Sequence, residues 1–146
     1  MERLAPILIV PAVLLYIAGL TSLIMVVLAR AGGWHALAKR YRVATMPDGQ
    51  VFRMASATFG TFTNYNNVLR IELNEDGVGF SPFFLFRIAH PPIFLPWSAM
   101  TEVAPYKILW STGTRFVVDG HRVRVYRAPG QAILDGWNRW QAAGRA

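Results

Sequence analysis

From Leu4 to Ala29 the chain carries no charged residue, and this one run limits the fold more than any other feature. At about 1.5 Å of rise per helical residue, a run of this length crosses a hydrocarbon core of about 30 Å. A cleaved signal peptide needs an apolar region of only about 7–15 residues closed by small side chains. Here bulky Ile24, Met25, Val26, Val27 and Leu28 carry the run on to Ala29, Arg30 and Ala31. Residues 1–30 therefore read as a transmembrane anchor. Pro6 falls in the first turn, where its missing N–H costs nothing, and Pro11 should bend the helix.

Arg30, Lys39, Arg40 and Arg42 follow the run and only Arg3 precedes it. The positive-inside rule then puts the N-terminus outside and the C-terminal part on the cytoplasmic side of an inner membrane. Residues 31–47 form a juxtamembrane segment. Its cations, together with Trp34 and Tyr41, are of the kind a headgroup layer accommodates: Arg30, Trp34, Lys39, Arg40, Tyr41 and Arg42. Trp34, Leu37, Ala38 and Tyr41 share a face at i, i+3, i+4, i+7 spacing, which predicts a short helix. Periodicity does not name the surface that this face meets, so a headgroup layer and the domain itself both remain open.

Within the span, Ala5, Ala12, Gly19 and Ser22 lie near one face, and small side chains there let another helix approach closely. The alternative is that small residues are simply common in spans. Tyr16, near mid-span, needs a hydrogen-bond partner at that depth.

Past the turn cluster Met46-Pro47-Asp48-Gly49 the period changes, and residues 48–146 read as one β domain. Strands are expected at Gln50 to Ala57, Asn67 to Asn74, Val78 to Ser81, Phe83 to Ile88, Ile93 to Trp97, Glu102 to Trp110, Arg115 to Val118 and Arg122 to Arg127. Leu69, Ile71 and Leu73 alternate with Arg70 and Glu72, as in a half-buried strand. Asp119-Gly120 between two alternating runs is a strong hairpin signal. From Pro129 the period becomes helical, with Ile133, Leu134, Trp137 and Trp140 on one face. Strands followed by one helix imply an antiparallel sheet capped by that helix.

About seven short antiparallel strands closed by a C-terminal amphipathic helix resemble the pleckstrin-homology superfold, which includes GRAM and bacterial PH-like domains. Ile93-Phe94-Leu95-Pro96-Trp97-Ser98-Ala99-Met100 is similar to the strand and turn that precede the second sheet of such domains. The span, the stretch Gly33 to Tyr41 and His90-Pro91-Pro92 also resemble uncharacterised single-span bacterial membrane proteins. The resemblance implies a PH-like antiparallel β-barrel or sandwich that acts as a binding module. It departs from phosphoinositide-binding members at Ala57 to Asn67, where no cation occurs in the first hairpin.

Chemistry-bearing motifs are sparse. The chain has no cysteine, no Gly-x-Ser-x-Gly, no His-Glu-x-x-His and no Gly-rich phosphate loop ending in Lys-Ser/Thr. His35, His90 and His121 are scattered, so no metal or other cofactor is expected. A net charge of +7 favours anionic neighbours. Arg122 and Arg124 should point to one side with Tyr126, with Arg127, Arg115 and Lys107 near. This is either an anion or partner patch or a solvated strand face protected by charge. Phe83, Phe84 and Phe86 make a strand apolar on both sides, covered by Trp137 and Trp140 or by an outside partner.

The chain therefore reads as a non-enzymatic, membrane-anchored interaction protein that docks a protein partner or anionic lipid headgroups. The alternatives are an accessory subunit of a larger membrane complex, held through a transmembrane helix partner, and a membrane-bound enzyme. Nucleic acid is a poor fit, because membrane topology already accounts for the cations near the span.

Overall fold

The computed structural model describes residues 3–61, 63–83, 87 and 89–144. Helix α1 (Ala5–Ala31) forms over the uncharged run, with Pro6 in its first turn and Pro11 inside it. Ser22 donates its hydroxyl to the Ala18 carbonyl at 2.8 Å, so this polar group is satisfied within the helix. Apolar side chains from Leu4 to Ile24 are exposed around the whole circumference, and burial begins only in the last two turns, at Met25 and Ala29.

The chain turns at Gly32-Gly33, where Gly33 has φ +86°. A Cβ at Gly33 would collide with the His121 ring, and one at Gly32 would lie 2.8 Å from the Thr63 Cβ. Glycine is therefore required twice at this corner, for close approach at both positions and for the left-handed backbone at Gly33. Helix α2 (Trp34–Tyr41) follows at once and buries Trp34, Leu37 and Ala38.

Seven antiparallel strands come next: β1 (Gln50–Phe59), β2 (Thr63–Leu73), β3 (Gly77–Pro82), β4 (Ile93–Pro96), β5 (Met100–Ile108), β6 (Ser111–Val118) and β7 (His121–Tyr126). They form one sheet in the order β4-β3-β2-β1-β7-β6-β5, curled into a half-barrel. A 3₁₀ turn (Trp97–Ala99) makes the corner between β4 and β5. Hairpin chemistry follows the sequence signals. Asp119 and Gly120 both take positive φ, and the Asn74 carboxamide oxygen accepts from the N–H groups of Asp76 and Gly77 at 2.8 and 3.1 Å.

Helix α3 (Arg127–Gly144) closes the half-barrel and packs mainly on β6, β7 and β5. Its seat is Ile133 and Gly136, both buried; a Cβ at Gly136 would lie 2.8 Å from the Trp97 ring. Of the expected face, Ile133 is fully buried, and Trp137 and Trp140 pack against the core without being sealed in it. Trp137 and Trp140 are half-buried and lie against each other at 5.3 Å, while the fully buried indole is that of Trp97. Phe83 is likewise not sealed under α3, since it remains 55% exposed. The Phe83 to Ile88 strand falls largely outside the described residues, as do Phe84 and Phe86; Phe83 and Arg87 themselves lie in no strand.

One core runs from Ala29 through α2 into the sheet. Trp34 sits 4.9 Å from Phe59, 5.5 Å from Tyr65 and 5.3 Å from His90, ring centre to ring centre. Its indole N–H donates to the Pro91 carbonyl at 2.9 Å, and the Tyr65 hydroxyl meets His90 Nε2 at 2.7 Å. Of the two surfaces that the sequence left open, the α2 face meets the domain itself. Trp34 therefore does not belong with the headgroup-facing residues, because an indole fully enclosed by protein has no surface left for lipid.

Trp34→Ala should lower the stability of the detergent-solubilised full chain by about 3–5 kcal/mol, the usual cost of truncating a buried large aromatic. Chemical denaturation followed by circular dichroism reads this, and a loss below about 1 kcal/mol would show that α2 is dispensable to the core. Burial also pushes the Tyr65 phenol above the ordinary tyrosine value. The neutral phenol thus contributes stability that is complete below the unfolded pKa of about 10 and declines as pH rises above it. In an alkaline absorbance titration of the folded chain one tyrosine should titrate only with unfolding, and Tyr65→Phe should abolish that delayed step.

Candidate anion-binding groove

Alternation along β7 sends Val123 and Val125 into the core and Arg122, Arg124 and Tyr126 to the outer face of the sheet. On β6, Phe116 and Thr114 point inward and Arg115 outward. The register then sets Arg115 directly opposite Arg124, with Ala104 of β5 completing the row. Ala104 is small, so the two guanidinium groups border an open groove of about 680 Å³. Its floor is the outer face of β5, β6 and β7, and one end is closed by Gly60 and Thr61 from the β1–β2 turn.

The arginines are not equivalent. Arg124 donates to the Tyr106 hydroxyl at 2.8 Å and to the Thr61 carbonyl at 3.2 Å, with its guanidinium carbon 5.3 Å from the Tyr106 ring centre. A planar guanidinium held by two acceptors and an aromatic face keeps one orientation. Arg115 and Arg122 are exposed, and among the described residues neither makes a side-chain hydrogen bond or an ion pair. Glu102 is the one acid in the lining, against three arginines. Like charges directly opposite each other on neighbouring strands repel, so the Arg115–Arg124 pair gains from an anion between them.

The groove opens beside the foot of α1. A Cβ at Gly60 would lie 3.5 Å from the Ala31 carbonyl and from Gly32 Cα, so the Gly60-Thr61 turn adjoins the last turn of that helix. The same corner holds Asp119, whose carboxylate pairs with Arg40 at 3.1 Å.

The structure thus brings together Arg122 and Arg124, with Arg115 joining them, while Tyr126 lies outside the groove and lines a neighbouring hollow. Arg127 is separate: it begins α3 with φ +62° and lines a neighbouring polar hollow with Asn64, Asn66 and Asn67. Lys107 does not line the groove. Tyr126 turns its hydroxyl to Thr58 at 2.7 Å and its ring toward Tyr106 at 6.2 Å. Sequence reading missed Tyr106 and Thr61, because only the sheet register and the β1–β2 turn deliver them to Arg124. Phe83 lies apart from the groove, in a hollow shared with Arg53, Met54, Arg70 and Arg87.

Around the foot of α1, Arg30, Lys39, Arg40 and Arg42 are exposed and Tyr41 is half-buried. The Tyr41 phenol is held above its ordinary value by burial first and by Asp119 next, with Arg40 opposing. On α1, Ala5, Ala12 and Gly19 are exposed and nothing lies within 4 Å of a Cβ at Gly19. Ser22 is half-buried and sits above Met25 and Ala29 on the side turned toward the rest of the chain. Among the described residues no three of His, Asp and Glu converge as metal ligands would. Neither a model of a known protein family nor a curated protein sequence matches this chain.

Proposed function

We propose that this protein is a single-pass, membrane-anchored interaction module whose PH-like domain docks anionic lipid headgroups in the groove between Arg115, Arg122 and Arg124. The observation that carries this reading is the unneutralised arginine row opening beside the foot of α1. Helix α1 is long and apolar enough to cross a membrane. Its exposed part, Leu4 to Ile24, measures about 30 Å at about 1.5 Å per residue, which matches a hydrocarbon core. Its last two turns then stand at headgroup depth, and so does the groove beside them.

The strand order and the capping helix support the PH-like assignment. The arginine row, however, lies on the outer face of β6 and β7 and not in the first hairpin. Its chemistry suits a phosphate monoanion: two mobile guanidinium groups and one fixed guanidinium supply charge and paired donors. Each cation at a membrane surface contributes about 1 kcal/mol toward anionic lipid.

Arg115→Glu with Arg122→Glu should therefore reduce retention of added phosphatidylglycerol by the purified full chain by about tenfold or more, at two cations of about 1 kcal/mol each plus the reversed charge. Native mass spectrometry in detergent reads the retention. Both residues are exposed, so the unfolding midpoint serves as a control and should not move. Undiminished retention would remove the groove as the lipid site.

The cations that follow α1 imply a cytoplasmic C-terminal domain. A C-terminal alkaline phosphatase fusion should be inactive and a fluorescent-protein fusion bright; the reverse pattern would place the domain outside.

A further inference from the structure

The β5–β6 hairpin ends on Ile108, Leu109 and Trp110, which are 50%, 77% and 88% exposed. Three consecutive large apolar side chains standing in water at the tip of a turn are unusual, and contiguous exposed apolar surface marks an interaction site. Turn geometry does not explain them. Leu109 has φ +53°, a left-handed backbone that glycine, asparagine or aspartate adopts at less cost. The turn at the other end of β6 uses such residues, Asp119 and Gly120.

The position of the tip points to its occupant. Along β6 the Asp119-Gly120 end meets α2, through Arg40, at the foot of α1. The opposite end, about 25 Å away at about 3.3 Å per residue, is the apolar tip. Between them the outer face follows one order. The unpaired Arg115 and Arg122 come with Arg124, then Tyr106 and Tyr126, then Ile108, which shares the side of Ala104 and Tyr106 by alternation. Cations, then amphipathic tyrosines, then an indole with two aliphatic side chains are the groups that a headgroup layer and its acyl boundary accept. A protein pocket for the tip alone would leave the arginine row without a counterpart.

We propose that Ile108, Leu109 and Trp110 form a second membrane anchor, inserted at the headgroup–acyl boundary of the leaflet from which α1 emerges. The outer face of β5, β6 and β7 then lies along the bilayer. This rests on the reading of α1 as a span and of the groove as a headgroup site, and it adds the orientation that lets both act together. The tip and the corner at Gly33 hold the domain at two points, which keeps the arginine row against the headgroups between them.

The chain has no cysteine, so single substitutions give clean labelling sites. The full chain, reconstituted in vesicles of phosphatidylcholine with phosphatidylglycerol, is labelled with an environment-sensitive fluorophore at Leu109→Cys, at Leu14→Cys in α1, or at Glu75→Cys in the exposed β2–β3 turn. The label at 109 should emit to the blue of that at 75. It should also be quenched by shallow acyl-chain nitroxides about threefold more and by aqueous iodide correspondingly less, as for an interfacial segment. Iodide access at 109 equal to that at 75 would overturn the proposal, and would mean that the tip waits for a protein. Protection that disappears on dilution to one chain per vesicle would also overturn it, in favour of a second copy. The label at 14 reports the span by itself, and lipid retention by the Arg115→Glu/Arg122→Glu protein reports the groove, so failure of either earlier reading is seen separately from failure of the tip.

Discussion

The fixed relation between α1 and the β domain depends on the enclosure of Trp34 by Phe59, Tyr65 and His90. A helix that ends in a flexible linker leaves its domain free to rotate. Here the chain passes from Ala29 to Trp34 through a corner that admits no side chain at Gly32 or Gly33, and the next helix is part of the core. The direction of α1 and the placing of the sheet are therefore set by the same packed contacts. A buried polar group reinforces the arrangement, because the Trp34 indole N–H donates to the Pro91 carbonyl and would lose that partner if α2 swung away.

That rigidity matters for the arginine row. Exposed arginines on a freely tumbling domain give a diffuse positive field that salt screens within about 10 Å. Beside the last turn of α1, the same groups keep one position relative to the foot of that helix. The difference between Arg124 and its neighbours fits this arrangement. Tyr106 and Thr61 hold the Arg124 guanidinium in one orientation, while Arg115 and Arg122 have no side-chain hydrogen bond or ion pair among the described residues.

Much of this architecture was legible in the sequence, and the parts that were not share a cause. Periodicity located α1, α2, most strands, the Asp119-Gly120 hairpin and α3, since each follows from a local pattern of apolar residues and turn chemistry. It did not extend β2 back to Thr63. Asn64 and Asn66 are poor strand formers taken alone, and Asn64 is held by a partner that only the fold supplies, the Thr58 hydroxyl. The same limit applies to the seat of α3. Helical spacing picked out Trp137 and Trp140, but the close contact is made by Gly136 because the Trp97 ring needs the space, and a pattern of apolar residues does not register a glycine that is required for its smallness. In the groove, Arg122 and Arg124 followed from strand alternation, which also put Tyr126 on the same outer face. Tyr106, Thr61 and the apposed Arg115 depend on register between strands, which local patterns do not encode.

The two sheet edges narrow the ways in which this domain can meet anything else. An open antiparallel sheet has two unpaired edges, and each is a template for another strand unless it is blocked. At the β4 edge, Arg42 pairs with Ile93 and the Val43 N–H donates to the Pro92 carbonyl at 3.1 Å, so the chain entering the domain covers its own first edge. At the β5 edge, Pro105 lacks a donor and the register shifts between Thr101 and Ala104, where Glu102 takes φ +54°. A proline and a bulge on an edge strand disfavour strand addition. With the backbone engaged at the start of one edge and interrupted by a proline and a bulge on the other, side chains on the faces and at the turns are the more open surfaces. There the outer face of β5, β6 and β7, with its arginine row and its apolar tip, combines unneutralised charge with exposed apolar surface on one continuous side.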